Sequence, residues 1–189
     1  NTSPVDIHEV GVRSYQATRA FVAGDVDRAD ELSALALSES AERGVDSEGA
    51  LALMGGQQLA LRIYRGGLEE MVSFLEAMID DLAFQNVPRA MLAVMHHELD
   101  APDKAASAWR AAISVLDEVP RDAAWLVYMW ALGSTCRFVR GGDRAEELYA
   151  AILPFADRWA VSTAAICFRI APRASVPSIC WSVSPSTFW

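Results

Sequence analysis

The stretch PRDAAWLVYMWALGSTCRFVRGGDRAEELYAAILPFADR, from Pro120 to Arg158, decides the fold. Ala124, Leu126, Val127, Met129, Trp130, Leu132, Cys136 and Val139 form one long apolar run at helical spacing, with no proline or tight-turn pair inside it. Pro120-Arg121-Asp122 opens the run. Asp122 is placed to cap the helix and to set a carboxylate near the positive end of its dipole. Gly141-Gly142-Asp143 closes it, because glycine takes the left-handed conformation at a helix C-terminus. A second helix follows, with an apolar face of Ala145, Leu148, Tyr149, Ile152 and Leu153, and Pro154 kinks or stops it. Two such faces joined by a short turn make an antiparallel pair.

Three earlier stretches repeat the arrangement, and periods of this size mark stacked supersecondary units. The first hairpin spans about 7–43, with its turn at Ala23-Gly24-Asp25 and Gly44 at its end. A second spans about 47–83, turning at Arg65-Gly66-Gly67. The third spans about 88–119, turning near Asp100-Ala101-Pro102, where proline suits a first helical turn that needs no amide donor. Aligning the turns gives a column of Ala29, Met71, Ala105 and Ala145, at spacings of 42, 34 and 40 residues. Four positions on stand Ser33, Leu75, Trp109 and Tyr149, and three further on Ala36, Met78, Ala112 and Ile152. Twelve positions before the first column stand Ala17, Leu59, Ala93 and Gly133. Small residues suit close helix crossings, and larger ones hold the next helix. Trp109 and Tyr149 are therefore expected to pack between hairpins. Trp125 and Trp130, five apart, cannot share a face, so one is exposed or covered by the next repeat.

Gly24-Asp25-Val26-Asp27-Arg28-Ala29 and Pro102-Asp103-Lys104-Ala105 resemble the helix-turn-helix signature of tetratricopeptide repeats, in a degenerate form of irregular period. Pro120–Leu126 (PRDAAWL) and Arg144–Arg158 (RAEELYAAILPFADR) resemble the helical-repeat region of large actinobacterial signalling regulators. Those couple a STAND-type ATPase module to such repeats, often with a LuxR-type DNA-binding or nucleotide cyclase domain. The resemblance runs from about Val10 to Phe168. It departs at the last turn, where Arg140 replaces the usual glycine and Gly141 follows. It implies an all-α fold, an α-α superhelix of tetratricopeptide-like hairpins, with a truncated fifth hairpin from 160.

The chain changes character at 169–189, RIAPRASVPSICWSVSPSTFW, which holds three prolines, five serines and no acid. Such a segment cannot continue a helix for long. Two readings stand: an out-of-frame or foreign end, or a genuine extended tail that covers the last helix with Trp181, Phe188 and Trp189. An opening Asn rather than Met reads as an excised or processed fragment. No secretory signal pattern and no apolar run long enough to span a membrane is present. A net charge of −9 argues against direct nucleic-acid binding by this segment, since neutralising phosphates needs a basic surface. Lys104 is the single lysine, a bias that points to a GC-rich genome. Cys136, Cys167 and Cys180 match no zinc or disulfide spacing, which favours a reducing cytoplasm.

Catalytic chemistry finds no constellation. His96-His97-Glu98 is the one local cluster of metal-ligand types, but adjacent helical histidines point about 100° apart and chelate poorly. The expectation is a solvent-facing turn, with His8 too far in sequence to help. Glu69-Glu70, Asp80-Asp81 and Glu146-Glu147 read as solvated outer faces. Gly55-Gly56 and Gly66-Gly67 lack the strand-to-helix context and lysine of a phosphate loop, so the ATPase motif of the resembled regulators is absent and no cofactor is expected. The first helix of each pair should line an inner groove, with Ser14, Thr18, Ile63, Val94, His97, Trp130, Ser134 and Arg137 facing it. The functional expectation is a non-catalytic scaffold that binds a protein segment or small effector there and signals to a regulatory domain elsewhere. The alternatives are a contribution to a cyclase or ATPase site, and a structural arm whose uncovered apolar end would let two copies dimerise.

Overall fold

The computed structural model describes residues 7–45, 47–82, 86–122, 124–139, 142–155, 159–162 and 166–169. Among these the fold is all-α, with eight helices and one short strand pair. The helices are α1 (Ile7–Val22), α2 (Val26–Glu42), α3 (Ser47–Arg65), α4 (Leu68–Met78), α5 (Asn86–Glu98), α6 (Pro102–Ile113), α7 (Trp125–Cys136) and α8 (Gly142–Ile152). Single 3-10 turns extend α4, α6 and α8 at Ile79–Asp81, Leu116–Glu118 and Leu153–Phe155. No described helix is long and apolar enough to cross a membrane. Contacts divide the helices into two units, α1–α3 and α4–α8. The expected hairpin over 47–83 is shared between them, α3 with the first and α4 with the second.

The turns explain where the helices stop. Gly24 has a φ of 83°, which a residue with a Cβ resists. Its amide donates to Phe21 O and the Asp25 amide to Ala20 O, at 3.0 and 2.9 Å. That pair of bonds satisfies carbonyls the ending helix would leave bare. Asp25 then caps α2, its carboxylate accepting from the Arg28 amide at 3.1 Å. After α5 the same two bonds recur, Asp100 N to His97 O and Ala101 N to His96 O, at 3.0 and 2.9 Å. Asp100 holds the glycine's place with a φ of 52°, a strained conformation that Asp tolerates better than most residues.

In the first unit α1 packs on α2 and α2 on α3. Ala17, Ala29 and Ala36 are fully buried, so the helices meet over methyl groups. A polar cluster ties the three together. The Gln57 amide donates to Ser14 O and to Thr18 Oγ1, both at 2.8 Å. Its carbonyl accepts from Ser33 Oγ at 3.0 Å and, more weakly, from Ser14 Oγ at 3.5 Å. The neighbouring Gln58 amide donates to Ser33 Oγ. Ser14, Ser33 and Gln57 are all buried, and such groups are tolerable only when paired.

In the second unit α5 is the central helix, buried from Ala90 through His96 and packed on α4, α6 and α7. Ala93, Ala105 and Ala112 again make the close seam. Two polar clasps join α6 to α7. The Trp109 indole donates to Leu132 O at 2.9 Å, and the Tyr128 hydroxyl donates to Ala112 O at 2.7 Å. Burial pushes the Tyr128 phenol up to about 12. Between α7 and α8, a Cβ on Gly133 would come 3.3 Å from Ile152 Cδ1, so the absent side chain admits that helix.

Several expectations are corrected. The helix opening the quoted stretch runs Trp125–Cys136, and Ala124 and Val139 lie outside it. Asp122 accepts from the Ala124 amide at 2.9 Å in the turn before the helix, which fixes the approach of the chain and does not cap the helix itself. Trp109 is buried between helices as expected, but Tyr149 and Leu153 are exposed. Of the tryptophans five apart, Trp125 is buried, with Phe155 5.0 Å away, and Trp130 is half-buried. Where the truncated fifth helical hairpin is expected from 160, the residues that are described are strands. Trp159–Ser162 (β1) and Ile166–Arg169 (β2) pair as a two-stranded sheet, in sequences rich in β-branched and aromatic residues. Residues 170–189, with Trp181, Phe188 and Trp189, and the Arg140-Gly141 turn lie outside the described residues.

Gln57→Ala should lower the unfolding free energy by about 2–3 kcal/mol in denaturant titrations, because partners on two other helices lose their bonds. Asp100→Gly should raise it by up to about 1 kcal/mol, since the strained turn then suits its residue.

Candidate functional site

The residues expected in one groove are divided between the two units. Ser14 is buried and Thr18 half-buried, and both are engaged by Gln57 from α3. They hold α1 to α3 and present no free hydroxyl face. Ile63, also on α3, is half-buried. Val94 is 2% exposed and belongs to the core of the second unit. Its helix is enclosed on several sides, which a two-faced helical reading could not reveal. Ser14 and Val94 are therefore removed as groove contacts.

The remaining four lie on α5, α7 and the turn after α7. His97, at the end of α5, stacks on Phe138, with ring centroids 3.8 Å apart and planes 22° from parallel. The Arg137 guanidinium carbon stands 4.2 Å from the centre of the same ring. An aromatic face attracts a cation through its quadrupole, so Phe138 orders Arg137 as well as His97. Phe138 and Arg137 are exposed, whereas His97 is half-buried. Trp130 is half-buried on α7, and Ser134 donates to Ala131 O at 3.0 Å within its own helix. The helix ends after Cys136, and the Phe138 and Val139 amides close on Thr135 O. That tight turn brings Phe138 back against α5. The Cys136 thiol beside it is half-buried, and burial raises its pKa.

Phe138 was not among the expected contacts. The available signal is an aromatic directly after Arg137, within the apolar run that ends at Val139. The cluster offers a flat apolar surface, an imidazole edge and a forked cation. It can bind an anionic or aromatic group, but it supplies no nucleophile with a base. Among the described residues no three His, Cys, Asp or Glu side chains gather as a metal site.

His96 corrects a second expectation. It does not face solvent but is buried, and its Nε2 lies 3.2 Å from Glu76 Oε1 on α4. Burial holds the imidazole pKa below its ordinary 6.5. The Glu76 charge opposes that shift, and the Lys104 charge on α6 adds to it. Elsewhere the ion pairs are superficial. Arg13 meets Glu39 at 2.7 Å, Arg65 meets Asp27 and Asp30, Arg89 meets Asp80, and Arg144 meets Glu147. The exposed pairs among these add little to stability, whereas Arg13 and Glu39 meet through two bonds and are partly buried.

The sign of the pH response follows from His96. Its folded pKa is lowered, so just below pH 6.5 the unfolded chain binds more protons than the folded one. The stability gained from the neutral, buried ring is complete above that value and is lost as pH falls toward the lowered folded pKa. Chemical denaturation at pH 7.5, 6.5 and 5.5 should show stability declining on acidification. His96→Gln should flatten that slope, and an unchanged slope would remove the ring from this role.

Comparison of the chain with family models, with curated proteins and with solved structures returns no match. The likeness to tetratricopeptide repeats therefore rests on the sequence alone.

Proposed function

We propose that this chain is a non-catalytic helical-repeat scaffold that belongs to a larger cytoplasmic regulator of signal transduction or transcription. In this reading its paired helices stack as a superhelix, and the first helices present a binding face to a protein segment or a small effector. The segment itself does not contact nucleic acid, in keeping with a net charge of −9. The observation that supports the reading is the cluster of His97, Phe138 and Arg137. An exposed phenyl ring is held flat against the His97 imidazole with an exposed guanidinium beside it. Exposed aromatic and arginine side chains are the types that most often carry binding energy. The pairing suits a ligand with a carboxylate or similar anion next to an apolar group, because a guanidinium meets a carboxylate through two parallel hydrogen bonds.

The test is a peptide and metabolite screen by thermal shift, followed by calorimetry on the hits. Phe138→Ala and Arg137→Ala should each weaken binding about tenfold or more, equivalent to about 1.4 kcal/mol. Both side chains are exposed, so the melting temperature of the free protein should change little. Hits whose affinity ignores both substitutions would place the binding face elsewhere.

A further inference from the structure

The same interface is built twice between consecutive hairpins. Where α3 follows α2, Gln57 and Gln58 of the first-helix side reach Ser33 of the second-helix side. Where α7 follows α6, Tyr128 reaches Ala112 O and Trp109 reaches Leu132 O. The turn register makes these equivalent: Ser33 and Trp109 share a column, and so do Gln58 and Leu132. Each junction has two halves, one on a second helix and one on the first helix that follows.

Two helices carry one of these halves uncovered. On α8, Tyr149 stands in the column of Ser33 and Trp109 yet is 51% exposed, and Leu153, four residues on in the 3-10 turn that extends the helix, is 49% exposed. On α1, Val12 shares the column of buried Tyr128 and is 56% exposed. Tyr15 shares the column of buried Gln57 and is 46% exposed. The described residues after α8 form a 3-10 turn and two strands, and none of them is a first helix that covers it.

We propose that the bare face of α8 receives the bare face of α1 from a second copy of the chain. The two faces are the complementary halves of a junction that the chain already makes twice, and each copy carries one of each. Tyr149 brings a hydroxyl to the place where the Trp109 indole donates to a main-chain carbonyl. The contact is head-to-tail, so it uses two different surfaces and leaves a free half at each end of the assembly. It is independent of the cluster around Phe138.

Sedimentation velocity over a concentration series tests this on the full chain. The unsubstituted protein should grow in mass with concentration. Tyr149→Glu with Leu153→Glu should be monomeric, and so should Val12→Glu with Tyr15→Glu. Circular dichroism should show native helix content in both, because all four side chains are exposed. Mixed together, the two variants should form a one-to-one dimer that grows no further, since each retains one intact face. A protein that stays monomeric throughout would overturn the proposal. So would continued dimerisation of either double variant alone, which would mean that a face pairs with itself.

Discussion

The hairpins close on alanine. Ala17 with Ala29 in the first unit, and Ala93 with Ala105 in the second, are buried almost completely where α1 meets α2 and α5 meets α6. A methyl group lets two helix backbones approach closely and leaves no rotamer entropy to lose. Larger side chains can then be assigned to the outer contacts. Leu132, Met129 and Tyr128 fill the space beyond the seam and are buried. Trp109 and Tyr128 then clasp α6 to the helix that follows, each donating to a main-chain carbonyl across the α6–α7 contact.

Much of this architecture was legible in the sequence, because helix ends are written locally. Gly24 and Asp25 announce a stop and a start, and they perform both through bonds no farther than a turn away. Ala29, Ala36, Ala105 and Ala112 were marked by spacing alone and are core residues. Local signals could not decide how many sides of a helix are covered. Val94 and His96 lie on α5, which is enclosed by three neighbours, so the half of the helix assigned to solvent is interior. Tyr149 erred in the opposite direction. Its column predicts burial only if another first helix follows, and β1 and β2 follow instead.

The candidate site was half legible for a related reason. His97 and Arg137 could be placed by phase, since they lie near the ends of first helices. Phe138 could not, because its position depends on where α7 stops, and no glycine or proline marks that point. The Gln57 cluster was invisible in the sequence. A pair of adjacent glutamines in an apolar helix does not show which one is interior until the backbone oxygen of Ser14 and the hydroxyl of Ser33 are seen converging on Gln57. Partners separated by 43 and 24 positions leave no local trace.

That glutamine has a consequence for how the first three helices can move. Packed helices can ratchet past one another by a full turn, about 5.4 Å. Here such a ratchet would drag the Gln57 amide out of reach of α1 and α2 together and strand it in a dry interior. Intermediate offsets are no better, because the side chain needs both neighbours at once. The trio should therefore shift only as a rigid block, and any message passing through it would travel as a change in orientation rather than as slippage between its members.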